Sequence, residues 1–457
     1  MKTYEKHIKF FGTDGIRGDA SKFPFDDYTL SVIGRSAAEE LHAPKGTILI
    51  LRDTRQSGER IERALAKGIA QAGLKTVFAG VLTTPAAAAL LKSGKYCAAV
   101  VISASHNPWE DNGIKIFNSK GSKLSDSTEM RIEKRINSYL SSPKNLKSLK
   151  CKAAPKKDSS LLKTYENFII KNFGKGSLKG KTIVVDCANG AAYKCAPAVL
   201  KKLGAKVIAL NTKPDGKNIN LNCGALHPEC AAQAVKKNKA FCGFAFDGDA
   251  DRLICIDETG VVKDGDFFLA AMSADMKKRG KLRNNILVTT VMANLGLMLA
   301  MKAAGIKTIV SKVGDRYVLE DMKKYKASLG GEQSGHFIFL DILGTGDGLL
   351  SAVRLLAALN RENKTMSQFL TGVEKFPQIL VNRKVAQKIP LEKLPESVAL
   401  IGNYEKELGA EGRILVRYSG TENLLRVMVE GKDAQRIKAI ADEITDSITA
   451  EVEKLGS

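Results

Sequence analysis

Ile48-Leu-Ile-Leu51, then Asp53-Thr-Arg-Gln-Ser-Gly58, then an amphipathic run, then Ala72-Gly-Leu-Lys-Thr-Val-Phe78: this stretch decides the fold. An apolar strand of about four residues, a polar turn, a helix of about 15 residues and a second apolar strand make a βαβ unit. The pattern recurs from Thr182-Ile-Val-Val-Asp186 through Cys187-Ala-Asn-Gly190 to Leu203-Gly-Ala-Lys-Val-Ile208. It recurs again from Ile286-Leu-Val-Thr289 through Val291-Met-Ala-Asn294 to Ala304-Gly-Ile-Lys-Thr-Ile-Val310. Gly73, Gly204 and Gly305 each stand where a helix C-cap belongs. The repeat predicts an α/β protein with three tandem related α/β domains.

Working outward, Ser141-Ser-Pro-Lys144 to Pro155-Lys-Lys-Asp158 is Lys/Ser/Pro-rich and reads as a linker. A turn-like stretch, Asp257-Glu-Thr-Gly260, follows an apolar strand at Leu253–Ile256. After about residue 372 the repeat is lost. Strands at about 379–385, 413–418 and 424–430 and a helix from 434 to about 454 predict a smaller α+β domain with an antiparallel sheet. The expected domains are 1–150, 151–257, 258–372 and 373–457.

The 457 residues suit three or four domains. With 44% hydrophobic and 26% charged residues, the composition excludes a disordered chain and a disulfide-stapled scaffold. Apolar runs such as Tyr96–Ile102 are too short to span a bilayer, and the polar start Met1–Lys9 does not read as a signal peptide. The eight Cys are scattered without a CxxC pair, which predicts reduced thiols and a cytoplasmic protein. A net charge of +22 raises the question of nucleic acid. The excess is spread over the first three segments and absent from 373–457, so the expectation is no nucleic acid and no membrane, with anionic small molecules favoured.

Five segments carry chemistry. Phe11-Gly-Thr-Asp-Gly-Ile-Arg-Gly18 joins backbone N–H groups freed by Gly to the guanidinium of Arg17, a combination suited to an oxyanion. In Val100-Val-Ile-Ser-Ala-Ser-His-Asn-Pro108, an apolar strand ends in hydroxyls poised for nucleophilic or phosphate chemistry. Ser105 and His106 are adjacent and no Gly-x-Ser-x-Gly elbow is present, which argues against a serine hydrolase. Asp247-Gly-Asp-Ala-Asp-Arg252 sets three carboxylates in one loop between apolar strands. Such charges repel unless a hard cation, Mg²⁺ or Ca²⁺, neutralises them. Glu258 falls at position 12 of an EF-hand register, but position 6 is Arg252 rather than Gly and the flanks are strands, so an EF-hand is excluded. In Gly330-Gly-Glu-Gln-Ser-Gly-His336, Glu332 and Ser334 suit adjacent sugar hydroxyls. In Arg417-Tyr-Ser-Gly-Thr-Glu-Asn-Leu-Leu-Arg426, two Arg bracket Ser419, Gly420 and Thr421, the composition of a phosphate clamp.

Taken in order from Gly12 to Gly431, these segments resemble the α-D-phosphohexomutase family over nearly the whole chain. Ser105-His-Asn-Pro108 together with Asp247-Gly-Asp-Ala-Asp-Arg252 is the most specific pair. Gly331-Glu-Gln-Ser-Gly-His336 and Arg417-Tyr-Ser-Gly-Thr-Glu422 favour the branch acting on glucosamine phosphates. The resemblance implies four domains around a central cleft. It also implies an isomerase interconverting glucosamine 6-phosphate and glucosamine 1-phosphate through a 1,6-bisphosphate, towards UDP-N-acetylglucosamine and the cell wall. The alternative is glucose or mannose phosphate with the same machinery.

The resemblance also assigns roles. Ser105 would be the phosphorylated serine, and Asp247, Asp249 and Asp251 would hold one Mg²⁺ against it. Arg17 and Lys115 would stabilise the transferring group, with Lys115 a candidate proton acceptor. His106 and Arg252 would line the same site. Glu332 and Ser334 would bind sugar hydroxyls, with His336 near the reacting end and Gly314, Asp315 and Arg316 in a sugar-facing loop. Arg417, Ser419, Gly420, Thr421 and Arg426 would bind the phosphate that is not reacting. The partner is a small sugar phosphate, and the protein a monomer or homodimer. Two departures stand out. Asn423 replaces a frequent Pro, which predicts a looser clamp. Ala250 replaces a frequent Gly, which is tolerated if its φ is negative.

Overall fold

The structure is a computed structural model that describes residues 8–12, 14–41, 46–141, 155–419 and 423–456. Most of the expected linker, 142–154, lies outside the described residues, as do Gly420 and Thr421. The chain divides into two compact units. One comprises the chain up to Val291 with Lys307–Thr371, and the other Met292–Ile306 with the chain from Gly372.

The first unit contains three sheets, each built on one copy of the repeat. Thr47–Arg52 pairs in parallel with Lys75–Val81, Thr182–Asp186 with Lys206–Leu210, and Ile286–Thr290 with Lys307–Ser311. The three glycines take positive φ, +83°, +98° and +62°. Their N–H groups each close the preceding helix on the carbonyl three residues back. The intervening helices are Gly58–Gln71, Cys195–Lys202 and Leu295–Ala303. The second and third are shorter than expected. A 3₁₀ turn at Ala191–Tyr193 uses up the start of the second, and the Asn294 side chain caps the third late by accepting from Gly296 N–H.

Each copy then adds a third, central strand and turns back. Ala98–Ile102 lies parallel to Thr47–Arg52 and antiparallel to Asp111–Asn118. Cys242–Phe246 lies parallel to Thr182–Asp186 and antiparallel to Leu253–Ile256. Leu329–Gly331 lies parallel to Ile286–Thr290 and antiparallel to Phe337–Phe339. The turns between these strand pairs occupy one topological position in all three sheets. Edge strands extend the first two sheets: Lys156–Lys157 joins the first beyond residue 150, and Val262–Lys263 joins the second beyond residue 257. The central strands read as continuous apolar runs because both of their faces are covered. Ala98–Ile102 and Cys242–Phe246 are buried at every residue.

The second unit carries an antiparallel sheet in the order Gln378–Lys384, Leu424–Glu430, Arg413–Tyr418. Leu425, Val427 and Val429 point from its central strand into a core shared with Ile437, Ile440, Ile444 and Ile448. Those isoleucines recur every three or four residues along the helix Ala434–Gly456, so one stripe of the helix covers the sheet. A second helix, Pro395–Leu408, had no counterpart in the sequence reading. Among the described residues no helix is long and apolar enough to cross a membrane, and Cys97, Cys187, Cys195, Cys223, Cys230, Cys242 and Cys255 are free thiols.

Candidate active site

The three equivalent turns of the first unit meet. Ser105 in the first turn donates its hydroxyl to Asp247 Oδ2 in the second at 2.6 Å. Arg252 bridges to His336 of the third, and Leu253 N–H donates to Gly335 O at 2.9 Å. Gly335 takes φ +93°, and a Cβ there would stand 2.4 Å from Leu253 O, so the junction of second and third turns requires glycine.

Asp247, Asp249 and Asp251 are buried, with ligand oxygens all within 4.8 Å of one another. Asp249 Oδ1 and Asp251 Oδ1 are buried with no hydrogen-bond partner among the described residues. Orphaned carboxylate oxygens that converge in this way suit a hard divalent cation. Burial and then the neighbouring carboxylates Asp251 and Asp249 push the Asp247 carboxyl far above its ordinary range. Burial also disfavours the Asp251 carboxylate, but Lys115 and His336 hold it well below. Asp249 Oδ2 accepts from Thr84 Oγ1 at 2.5 Å and from Lys115 Nζ at 2.9 Å.

Lys115 comes from the strand that follows the serine turn, and its side chain is 1% exposed. Burial disfavours its ammonium, yet Asp14, Asp249 and Asp251 hold it charged, with a pKa above the usual lysine range. Asp14 also pairs with Arg17 and with Lys123, which reaches Asp315 at 2.7 Å. Arg17 Nε is buried without a partner among the described residues. His106 Nδ1 lies 3.3 Å from Ser105 Oγ. Burial, Arg252 and Arg17 push its pKa down to about 4, so the ring is neutral.

In the third turn Glu332 Oε1 accepts from Gly314 N–H at 3.1 Å, and Ser334 is exposed. Burial opposes a charged His336, but Asp251, Asp315 and Glu332 raise its pKa to about 9. Gly346 N–H donates to His336 Nε2 at 3.1 Å, which requires a lone pair there. These demands conflict. The backbone hydrogen bond decides the tautomer because its N–H is fixed in place, leaving the proton on Nδ1 facing Asp251. Gly314 and Asp315 therefore join Glu332 and His336, whereas Arg316 does not. It is engaged by Asp126 at 2.5 Å, with Glu129 and Glu320 at 3.4 Å.

In the second unit Arg417 and Arg426 are cross-strand partners, and Ser419 N–H ties the turn to Leu424 O at 2.8 Å. Asn423 donates through Nδ2 to Ala386 O at 3.1 Å and accepts from Val385 N–H at 3.0 Å; the clamp residues 420–422, on which the looser fit was expected, lie outside the described residues. Ala250 takes φ +58°, not the negative value that would make it costless. Its N–H bonds to Asp247 O and its carbonyl accepts from Gly348 N–H, both at 3.0 Å, and together these force the left-handed conformation.

Arg55 was read only as part of a polar turn. It is buried beneath the Ser105 turn and donates to backbone carbonyls there. Asp14, Thr84 and Lys123 were likewise not singled out. The sequence signal for each was a polar residue beside a glycine-rich or proline-marked turn, too common to separate from an ordinary loop.

Four family models match in order: phosphoglucomutase/phosphomannomutase alpha/beta/alpha domain I over residues 9–142, domain II over 163–260, domain III over 264–376, and the C-terminal domain over 380–447. The chain belongs to the phosphoglucomutase/phosphomannomutase family. Among curated relatives it is 48% identical over 455 residues to the phosphoglucosamine mutase of Citrifermentans bemidjiense, covering 98% of each chain. Among solved structures it is similar to a phosphoglucomutase/phosphomannomutase family protein from Burkholderia thailandensis, with TM-score 0.78, 25% identity and 97% of each chain covered. It also shares the fold of the Aspergillus fumigatus N-acetylphosphoglucosamine mutase solved with GlcNAc-6P and magnesium, with TM-score 0.68, 17% identity, and 99% of this chain and 97% of that one covered.

Proposed function

We propose that the chain interconverts glucosamine 6-phosphate and glucosamine 1-phosphate by two phosphoryl transfers at Ser105. The observation that carries this reading is the 2.6 Å hydrogen bond from Ser105 Oγ to a buried carboxylate triad lined by Lys115. A hydroxyl so placed, on carboxylates that suit a hard cation and that Lys115 lines, suits phosphoryl transfer, which needs positioning and charge neutralisation. The full-length similarity to phosphoglucosamine mutases supports glucosamine as the sugar.

In the first transfer the free sugar hydroxyl attacks the phosphorus carried on Ser105. The bond from phosphorus to Oγ breaks, and the hydroxyl's proton ends on Oγ, leaving a 1,6-bisphosphate and a free serine. The intermediate reorients, and its other phosphate returns to Ser105 by the reverse step. Lys115 and Arg17 offset charge on the transferring group, and Glu332 and Ser334 hold sugar hydroxyls beside His336. Arg417, Ser419 and Arg426 bind the phosphate that is not reacting. Asp247, Asp249, Asp251 and the Ser105 oxygen would hold Mg²⁺, which would supply charge neutralisation at the phosphoryl group. The protein works in the cytoplasm, as a monomer or homodimer, towards UDP-N-acetylglucosamine.

Sugar choice rests on a few polar contacts. Relative kcat/KM on glucosamine, N-acetylglucosamine, glucose and mannose phosphates tests it. Glucosamine 6-phosphate should lead; a clear lead for glucose or mannose phosphate would move the chain to the other branch of the family.

A further inference from the structure

Ser105 takes φ +53°, a left-handed conformation that residues other than glycine rarely adopt. Its surroundings over-determine that conformation. Arg55 Nη2 donates to Ser105 O at 3.0 Å and to Asn107 O at 2.8 Å. Asn220 Nδ2 donates to the same two carbonyls, at 2.9 and 3.2 Å. The Ser105 N–H is held as well. It donates to Ser103 Oγ at 3.0 Å, and Ser103 donates to Asp53 Oδ2 at 2.6 Å. The same Asp53 oxygen accepts from Arg55 Nε at 2.9 Å. Both backbone polar groups of the serine are therefore tied to one buried guanidinium. The contact leaves no slack on the opposite side, since a Cβ on Gly248 would stand 2.6 Å from Ser105 O and 2.8 Å from Asn220 Nδ2.

The two donors come from different copies of the repeat. Arg55 follows the strand Thr47–Arg52 of the first sheet, and Asn220 lies in the loop after Lys206–Leu210 of the second. Asn220 has φ +60°, and its own N–H is fixed to Ala188 O at 2.9 Å. We infer that Arg55 and Asn220 are positioning residues for the transfer, acting through the Ser105 and Asn107 carbonyls to fix the direction in which Oγ presents its phosphoryl group. The inference rests on the reading of Ser105 as the phosphorylated residue. It adds that the serine is set in its reactive conformation only when the first and second sheets are docked on one another.

Asn220→Gly separates positioning from folding, because glycine accepts the positive φ while the amide is deleted. Arg55→Lys keeps the charge and loses the fork. Both are assayed in the full chain alongside wild type and Ser105→Ala, with rates normalised to the folded fraction and the phosphoserine content read by intact mass. A small misalignment of a reacting group costs on the order of 10²-fold. Asn220→Gly should therefore lower kcat per folded, phosphorylated molecule by about 10- to 100-fold with KM within about twofold. Arg55→Lys should fall at least as far. If kcat per folded, phosphorylated molecule stays within about twofold of wild type in both variants, or the loss disappears on normalisation, the positioning role is overturned. Wild-type turnover by Ser105→Ala would instead overturn the underlying reading of the serine.

Discussion

Arg417 and Arg426 stand directly opposite one another across the antiparallel strands Arg413–Tyr418 and Leu424–Glu430. Like charges in that relation destabilise a sheet. Burial and the Arg426 charge push the Arg417 pKa down, and Arg426 Nε is buried without a partner among the described residues. An anion between the forks relieves both costs. Arg426→Gln should leave the unfolding temperature without ligand unchanged or slightly raised, since repulsion worth about 0.2–1 kcal/mol is removed. The same variant should lose the thermal stabilisation given by glucosamine 6-phosphate and should raise KM more than it lowers kcat. Melting curves with and without the sugar phosphate check this; undiminished protection in the variant contradicts it.

Ser105→Ala should abolish turnover and leave the fold intact. Intact-mass measurement should show wild type carrying about 80 Da more than its bare chain in the phosphorylated fraction. The variant should lack that increment. Mutase activity at the wild-type level in Ser105→Ala would refute the phosphoryl-transfer mechanism.

Chelation should silence the enzyme and Mg²⁺ should restore it. Asp249→Asn, which weakens the triad and its contacts with Thr84 and Lys115, should cost more than about 100-fold in kcat and abolish the response to added Mg²⁺. Titration of activity against Mg²⁺ in wild type and variant gives the answer. A variant still stimulated by Mg²⁺ excludes Asp249 as a ligand.

Ala250 is buried at φ +58°. Glycine adopts this conformation without the Cβ penalty, though it adds entropy to the unfolded chain. Ala250→Gly should therefore raise stability by about 0.5–1 kcal/mol, read from the midpoint of urea unfolding. A destabilised variant would mean that the alanine methyl contributes more through packing than it loses through strain.

The repeat was legible because each copy writes the same string of apolar strand, polar turn, helix and capping glycine, a pattern governed by local rules. Ser105 and the three aspartates were legible because hydroxyls and like charges at strand ends break the rules of core and surface. What lay hidden depends on contacts distant in sequence. Arg55 resembles any polar turn residue until the chain brings the serine carbonyl over it, 50 residues away in sequence. The positive φ of Ala250 follows from its bonds to Asp247 and to the distant Gly348, so the residue type alone left its conformation open. The resemblance placed Arg316 in a sugar-facing loop; its ion pairs with Asp126 and Glu129, both far away in sequence, could not be read from that motif. The charge on Lys115 is set by three carboxylates from two other segments, which no spacing within its own motif reveals.

The three chemistry-bearing turns occupy one position in three copies of one unit, and this divides the candidate groups among three segments. Ser105, the aspartate triad and the Glu332–His336 turn each sit on a separate strand–turn–strand segment. Division does not mean independence: the first two segments are locked through Ser105, Asn220 and Asp247, and the second to the third through Arg252, Leu253 and Gly335, so a change in one constrains the next.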